Sequence, residues 1–400
     1  MSARAVPMGG PIATRPFRVL LVIFGLAAAL IVWRLFAGLG AATALSDGYP
    51  WGLWIAFDVV TGTALACGGY AMAILVYIRN KGKYHPLVRS AILTSALGYT
   101  MAGISVVLDL GRPWEVWKVP LFFWSWNLNS ALLEVALCIM AYVVVLWIEL
   151  SPAFLERWKA GPEGRLQRFS AKVLPFLEKY LIWIIALGML LPTMHQSSLG
   201  SLILLTGPKL HPLWQTPLLP LLFLVSCIAM GYAAVVFESS LSTIFFRRRP
   251  ETEMLAGLSG AMLPVLAAFL LLRIGDLVFR GQIQQAFVAN RYAVSFWVEI
   301  ALMAAPLFLL ASRQARRAPG NLFRAAMLMM LAGGLYRFNT YLVAYRPGDD
   351  VHYFPSVPEF VITVGLVALE IMAYIVIVKM FPILSGSAPA EARVRSRRER

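Results

Sequence analysis

The stretch 214–240, WQTPLLPLLFLVSCIAMGYAAVVFESS, carries a single charged side chain, Glu238. A run of this length and polarity can cross the hydrocarbon core of a bilayer as an α-helix, which takes about 20 residues. Because a backbone in lipid must satisfy its own hydrogen bonds, the run is predicted to be helical. Comparable runs recur along the chain and predict about ten transmembrane helices, at 17–39, 53–78, 88–108, 121–148, 173–194, 214–240, 254–279, 292–312, 321–343 and 359–381.

The composition supports a membrane protein. Of the 400 residues, 60% are hydrophobic and only 14% are charged, and the mean hydropathy is +0.73. A soluble chain of this size needs far more polar surface. The three cysteines, Cys67, Cys138 and Cys227, lie singly in apolar runs and form no CxxC motif. They predict neither disulfides nor iron–sulfur ligation.

The basic residues predict the orientation. The net charge of +15 is concentrated in short clusters on one side of the predicted spans. Basic loops of membrane proteins face the cytoplasm, so both termini are predicted to be cytoplasmic and nucleic acid is not an expected partner. The basic clusters are Arg4–Arg18, Arg79–Arg89, Arg157–Lys172, Arg247–Arg249, Arg313–Arg324 and Arg393–Arg400. We expect one membrane domain over 1–385 and a disordered basic tail over 386–400.

Ionisable residues inside predicted spans are functional candidates, because charge at membrane depth is costly. Glu134 falls near the middle of the fourth predicted span, and His195 falls at the external end of the fifth. Arg273 and Asp276 are three residues apart on one helix face, which predicts either a structural ion pair or a proton-carrying pair. Glu238 either reaches the internal interface or belongs to a proton path.

A sequence motif that occurs twice predicts how the helices are grouped. Ser130-x-x-x-Glu134-Val-Ala-Leu in the fourth span is matched by Ser295-x-x-x-Glu299-Ile-Ala-Leu in the eighth. The two motifs lie four spans apart. This spacing predicts two parallel repeats, four-helix bundles of helices 2–5 and 6–9, flanked by helices 1 and 10.

The histidines argue against haem. A b-type cytochrome uses paired axial ligands from helices that face each other. His85, His211 and His352 fall in predicted loops, which leaves His195 alone. We therefore expect no haem and no iron–sulfur cluster in this chain, with electrons supplied by a partner. A proton-coupled transporter is the alternative class, since intramembrane carboxylates and repeats suit it as well.

Several long motifs resemble the NrfD/PsrC family and, more narrowly, the HybB-type membrane subunits of periplasmic [NiFe]-hydrogenases. The likeness extends from Pro7-Met-Gly-Gly10 to the last predicted helix. It is carried by Gly48-Tyr-Pro-Trp-Gly-Leu-Trp-Ile-Ala-Phe-Asp58, Ala66-Cys-Gly-Gly69, Tyr84-His-Pro-Leu-Val-Arg89, Asn127-Leu-Asn-Ser130 with Glu134, Leu191-Pro-Thr-Met-His-Gln-Ser-Ser-Leu-Gly-Ser-Leu202 and His211-Pro-Leu-Trp-Gln215.

The resemblance implies a quinone-reactive subunit in the bacterial inner membrane. Its expected partners are a periplasmic ferredoxin-like iron–sulfur subunit, the small and large hydrogenase subunits, and membrane lipid. Menaquinone or ubiquinone is the expected exchangeable substrate, with possible coupling to proton translocation. An NrfD-like subunit of another redox complex, of the polysulfide or sulfite type, is the closest alternative.

Two sets of residues are predicted to serve this chemistry. Imidazole and carboxyl groups can supply the two protons that quinone reduction consumes, and Arg112 can steady negative charge. The predicted quinone-binding and proton-donor set is Glu134, His195, Asp58, Asp109, Arg112 and Gln196. The predicted proton path is Glu134, Glu299, Asp276, Arg273 and Glu238.

Overall fold

The computed structural model describes residues 5–248, 250–348 and 350–385. Within these ranges the structure is helical and contains no β-strand. The predicted residues Arg4 and Arg249 and the predicted tail 386–400 lie outside the described residues. The ten long helical segments are α1 Arg15–Ala37, α2 Trp54–Ile78, α3 Gly82–Asp109, α4 Ala131–Lys159, α5 Arg165–Leu204, α6 Leu219–Phe245, α7 Thr252–Phe279, α8 Arg291–Leu309, α9 Pro319–Phe338 and α10 Val357–Met380.

Nine of these segments in the described ranges, all except α9, are long and apolar enough to cross a membrane. Helix α9 falls short because Arg324 and Arg337 lower its hydropathy. The prediction of an all-helical, multi-pass membrane protein is confirmed, and α9 occupies the position of the ninth predicted span.

Helices α4 and α5 are longer than predicted. The segment 149–172, predicted as a long internal loop, is reduced to the connection 160–164. At its other end, α5 continues through the polar run after His195 as far as Leu204. Serine hydroxyls in that run bond to carbonyls one turn back (Ser197 to Thr193 at 2.9 Å, Ser198 to Met194 at 2.9 Å). These bonds satisfy the polar side chains locally, so the run stays helical.

Helix α2 is irregular. It begins and ends with wider π-helical turns, at Trp54–Thr61 and Ile74–Ile78. Such turns interrupt the regular backbone ladder and often occur at functional sites. In the first turn, the carbonyl oxygen of Val60 accepts a hydrogen bond from Arg337 of α9 at 2.9 Å.

The helices pack in a definite order. Helix α2 contacts α3 and α5, α3 contacts α4, and α4 contacts α5. Likewise α6 contacts α7 and α9, α7 contacts α8, and α8 contacts α9. Helix α6 also packs on α2 and α5, and α9 packs on α2. Helix α1 pairs with α10, which in turn contacts α2 and α3.

Both ends of the described chain lie on the same face of the molecule. The amide of Met8 donates to the carbonyl of Val378 at 3.1 Å, and the amide of Gly9 to that of Lys379 at 3.0 Å. We call this side the terminal face. The opposite side, the distal face, holds the connections 38–53, 110–130, 205–218, 280–290 and 344–356.

Candidate functional site

A buried polar cluster surrounds His195 between α2, α3 and α5. The side chains of His195 and Gln196 are fully buried. The hydroxyl of Tyr99 lies 2.6 Å from Nε2 of His195, and Nε2 of Gln196 donates to Oγ1 of Thr63 at 3.0 Å. Nδ1 of His195 and Oε1 of Gln196 are buried and have no hydrogen-bond partner among the described residues. The cluster therefore retains one unpaired polar atom on each of its two central side chains.

The position of His195 differs from the prediction. It was predicted at the external end of the fifth span, but it lies about two and a half turns before the end of α5 at Leu204. The serine-rich run that follows it looked like a loop in the sequence but is helical. His195 is consequently an interior residue and not an interfacial one.

Aromatic side chains form one wall of this cluster. The ring of Tyr99 packs edge-on against His195 at 5.3 Å and against Tyr142 of α4 at 4.5 Å. The sulfur of Cys67 lies 3.5 Å from the Tyr99 hydroxyl, and the hydroxyls of Tyr70 and Thr193 are 2.7 Å apart. Tyrosine hydroxyls both donate and accept, so the wall is apolar in bulk and polar at its tips.

Arg337 supplies a positive charge close to the cluster. Its side chain is fully buried and donates to the carbonyl of Val60 at 2.9 Å and to that of Phe223 at 2.7 Å. It also donates to Oγ of Ser226 at 3.2 Å and interacts electrostatically with His195. The guanidinium thereby joins α2, α6 and α9 and leaves a fixed positive charge beside the imidazole.

A cleft of about 390 Å³ lies between α3 and α4. Its lining is almost entirely apolar and comprises Thr100, Gly103, Ile104, Val107, Leu108, Ile139, Met140 and Val143. Thr100 and Val143 directly follow Tyr99 and Tyr142 in the chain. The cleft is therefore on the outer side of the same helix pair that forms the aromatic wall.

A second buried cluster lies between α7, α8 and α9. The carboxylate of Glu299 is fully buried. It accepts hydrogen bonds from Nε1 of Trp214 at 3.0 Å, Nδ2 of Asn339 at 3.0 Å and the guanidinium of Arg273 at 3.4 Å. Arg273 also donates to the carbonyl of Leu213 at 2.5 Å. Three donors around one carboxylate fix its position and favour a structural role.

The predicted pairing of Arg273 with Asp276 is wrong. Arg273 pairs with Glu299 of another helix, whereas Asp276 pairs with Arg280 at 2.7 Å and accepts from Thr216 at 2.9 Å. The spacing of three residues places both side chains on one helix face, but Arg273 lies closer to Glu299 and Asp276 lies closer to Arg280. Contacts between helices decided the pairing.

Glu134 was predicted near the middle of a span, but it lies in the first turn of α4, at the distal face. The error arose because the apolar aromatic connection before Ser130 was included in the predicted span, whereas Ser130 caps the helix at 3.3 Å. Glu134 is partly exposed. It lies about 12 Å along the helix axis from Tyr142 and about 7 Å from Ile139, which lines the cleft.

The remaining predicted residues are dispersed. Asp58 is buried at the α2–α10 contact and accepts from Thr363 at 3.2 Å. Asp109, at the end of α3, interacts with Arg34 and Glu359, and Arg112 is exposed in the distal connection. Glu238 accepts from the hydroxyl of Tyr374 near the terminal face. The structure therefore joins His195 and Gln196 but places no other predicted residue in hydrogen-bond contact with them.

Sequence reasoning missed Tyr99, Tyr142, Thr63 and the role of Arg337. The available signal was a tyrosine deep in an apolar run, because a buried hydroxyl in lipid needs a partner. Tyr99 and Tyr142 both satisfy this description.

Comparisons with known proteins agree with this architecture. The family described as "Polysulphide reductase, NrfD" matches residues 41–345. The "Probable Ni/Fe-hydrogenase 2 b-type cytochrome subunit" of Escherichia coli (strain K12) is 42% identical over 391 residues, which cover 96% of each chain. A protein of Nitratidesulfovibrio vulgaris is 34% identical and covers 91% of this chain and 92% of its own. The "Menaquinone reductase, integral membrane subunit" of the same organism is 29% identical over 59% of this chain and 58% of its own.

The helices and the buried polar clusters define a multi-pass integral membrane protein with ionisable groups in its interior. The matched region and the sequence identities show the family of the protein. The chain belongs to the NrfD family.

One expectation requires correction. The chain was expected to be free of haem, but the E. coli relative is named a b-type cytochrome subunit, which contradicts that expectation. The histidine positions do not fit paired axial ligation. His85 and His352 are exposed on opposite faces, His211 is buried in a distal connection where it stacks on Tyr292, and His195 is buried within α5, so no two of them face each other from neighbouring helices. We assign no haem ligands and derive no step through haem.

Proposed function

We propose that this chain is the quinone-reactive membrane subunit of a bacterial respiratory hydrogenase. In this proposal an iron–sulfur subunit docks at the distal face and passes electrons from the hydrogenase subunits to quinone in the inner membrane. The names of two relatives support the two halves of the proposal, since one is a Ni/Fe-hydrogenase 2 subunit and the other a menaquinone reductase subunit.

The proposed topology has two four-helix bundles, α2–α5 and α6–α9, with α1 and α10 beside the first. The packing order of the helices supports it. The terminal face is proposed to be cytoplasmic, because the basic clusters between Arg79 and Arg324 lie in its connections and in the helix ends next to them. The distal face then carries the partner, and the connection 110–130 offers Trp114 and Trp124, which are 63% and 68% exposed.

The observation that carries the proposal is the buried His195–Tyr99 pair behind an apolar cleft that opens between α3 and α4. A quinone carries an isoprenoid tail and two carbonyl oxygens. The cleft is suited to the tail, and the hydroxyl of Tyr99 and the imidazole of His195 are suited to hydrogen-bond a carbonyl. Because His195 is fully buried, the ring of the quinone reaches it only when neighbouring side chains move.

The residues of the chain would then act as follows. Reduction of a quinone takes two electrons and two protons, and the imidazole of His195 can hold a proton at Nε2 or Nδ1. Arg337 favours electron transfer by stabilising negative charge near the site. Glu134, near the distal end of the cleft, is proposed as a proton-exchanging group at its mouth. Arg273 and Glu299 are proposed to hold α7, α8 and α9 together.

The test compares two glycines on the purified complex. A Cβ added to Gly103, in the cleft, or to Gly25, on α1, would meet nothing within 4 Å. Gly103→Leu should fill the cleft and raise the KM for a long-tailed quinone by about tenfold, whereas Gly25→Leu should not. His195→Gln should raise the KM for long-tailed and tail-less quinones alike by about 2–10-fold, the effect of losing one hydrogen bond.

Hydrogen-dependent reduction of an artificial dye is the control for assembly, and it should stay unchanged in all three variants. An unchanged KM in both Gly103→Leu and His195→Gln would place the quinone elsewhere. A complex that lacks iron–sulfur subunits after purification would argue against the proposed partner.

A further inference from the structure

Helix α10 carries a row of polar side chains on one face. Glu359, Thr363, Glu370 and Tyr374 are spaced at i, i+4, i+11 and i+15, which confines them to an arc of about 60° around the helix axis. The exposed side chains are apolar and lie about 90° further around the axis, with Phe360 54% and Ile371 43% accessible. The polar face is turned toward α2, α3 and α6, and it runs along about two thirds of the helix.

The upper part of the row meets Asp58. Oγ1 of Thr363 donates to the carboxylate of Asp58 at 3.2 Å. The fully buried side chain of Ser105 of α3 lies beside the same carboxylate. Two hydroxyls from different helices, those of Thr363 and Ser105, therefore converge on the carboxylate of Asp58.

Glu370 occupies the middle of the row. Its carboxylate lies against Gly98 of α3, so close that a Cβ on Gly98 would be 3.4 Å from Oε1. It interacts electrostatically with Asp58 and forms no hydrogen bond within the described ranges. A carboxyl group without a fixed partner at this depth can bind and release a proton.

The lower part of the row reaches the terminal face. The hydroxyl of Tyr374 donates to Glu238 of α6, and Ser90 of α3 lies close to the same carboxylate. Glu238 interacts with Arg248 and Glu251 at the terminal face, where Arg248 also donates to Ser242 at 3.0 Å. The row thus begins at a charged cluster in contact with the terminal side.

The row is closed at the distal end. Glu359 accepts hydrogen bonds from the amide of Ala44 at 3.0 Å, the amide of Ser356 at 2.8 Å and the hydroxyl of Tyr353 at 2.5 Å. These three donors engage both oxygens of the carboxylate and fix it in place. Glu359 therefore acts as a fixed helix cap and ends the row of exchangeable groups.

We propose that Glu238, Tyr374, Glu370 and Asp58 form a proton uptake route from the terminal face toward the quinone site. The helix rise between successive groups is about 6–10 Å, a distance that one to three water molecules can bridge. Asp58 lies on α2 five residues before Thr63, which is hydrogen-bonded to Gln196. The inference rests on the proposed function, because reduction of one quinone by two electrons from the iron–sulfur partner consumes the two protons delivered.

The test uses the complex in lipid vesicles, with hydrogen as the donor, a quinone as the acceptor and a voltage-sensitive dye. Glu370→Gln keeps the size of the side chain but cannot carry a proton, and should lower quinone reduction about a hundredfold at an unchanged quinone KM. Glu370→Asp should restore part of the rate. Glu149→Gln is the matched control, since Glu149 of α4 lies against Gly188 of α5, away from the row.

A normal rate without a voltage response in Glu370→Gln would also support the route, because protons would then come from the electron-donating side. A normal rate with a normal voltage response would overturn it. A second readout needs no quinone: a hydrophobic carbodiimide, which modifies protonated carboxyl groups, should label Glu370 but not Glu359. Labelling of Glu359 without Glu370 would refute the route, whatever the outcome for the proposed function.

Discussion

Replacing Glu299 with glutamine should destabilise the protein strongly. The carboxylate of Glu299 and the guanidinium of Arg273 are both fully buried, and their pairing distance is 3.4 Å. Neutralising one partner leaves the other as an uncompensated buried charge, which costs about 3–5 kcal/mol. Glutamine has one acceptor oxygen, so it cannot serve Trp214 and Asn339 on one side and Arg273 on the other. Its amide NH₂ group, which is itself a donor, must then face one of these donors.

The assay is unfolding in mixed micelles with increasing denaturing detergent. The buried thiols of Cys67, Cys138 and Cys227 report unfolding through their reactivity with a thiol dye. The double variant Arg273→Met/Glu299→Gln removes both charges and should recover at least half of the loss. The reasoning would be refuted if the free energy of unfolding of Glu299→Gln were within about 1 kcal/mol of the wild-type value. It would also be refuted if the double variant were less stable than Glu299→Gln.

Two further predictions concern packing and pH. Gly231→Ala should destabilise the protein by about 1–3 kcal/mol at the α2–α6 contact, because the added Cβ would lie 2.4 Å from the carbonyl oxygen of Cys67. Gly275→Ala is the control and should be neutral or slightly stabilising, since its Cβ would meet nothing within 4 Å. Equal unfolding midpoints for the two variants would contradict this prediction. Burial and the charge of Arg346 lower the pKa of His211 to about 4. Between pH 6.5 and 4 the unfolded chain therefore binds a proton that the folded chain does not. As the pH is lowered through this range, the stability of the wild type should fall more steeply than that of His211→Gln. Identical pH profiles of the unfolding midpoint would remove His211 as the cause.

The positions of the helices were predictable because the bilayer leaves few alternatives. The run 214–240 has no other way to satisfy its backbone in lipid, and α6 occupies Leu219–Phe245. Boundaries were less predictable where aromatic residues lie at the membrane surface. The connection before Ser130 is apolar in composition, so it extended the predicted fourth span and displaced Glu134 from the first turn to mid-depth.

The polar contacts between helices were not predictable from spacing. Asp276 is the nearest acid to Arg273 in sequence, but the three-dimensional partner is Glu299. His195 was identified from its motif, whereas Tyr99 is contributed by another helix in a run without an ionisable neighbour. Such pairs depend on how each helix is oriented about its own axis, and this orientation cannot be predicted from a single sequence.

The contact between α1 and α10 bears on the order of assembly. Only 11% of the residues in the most apolar part of α1 are buried, and its main neighbour is α10, the last of the described helices. Because α1 precedes α10 in the chain, this contact can form only after α10 has been inserted. Because Met8 and Gly9 bond to Val378 and Lys379, a circularly permuted protein with these ends joined and new ends in a distal connection should still be able to fold.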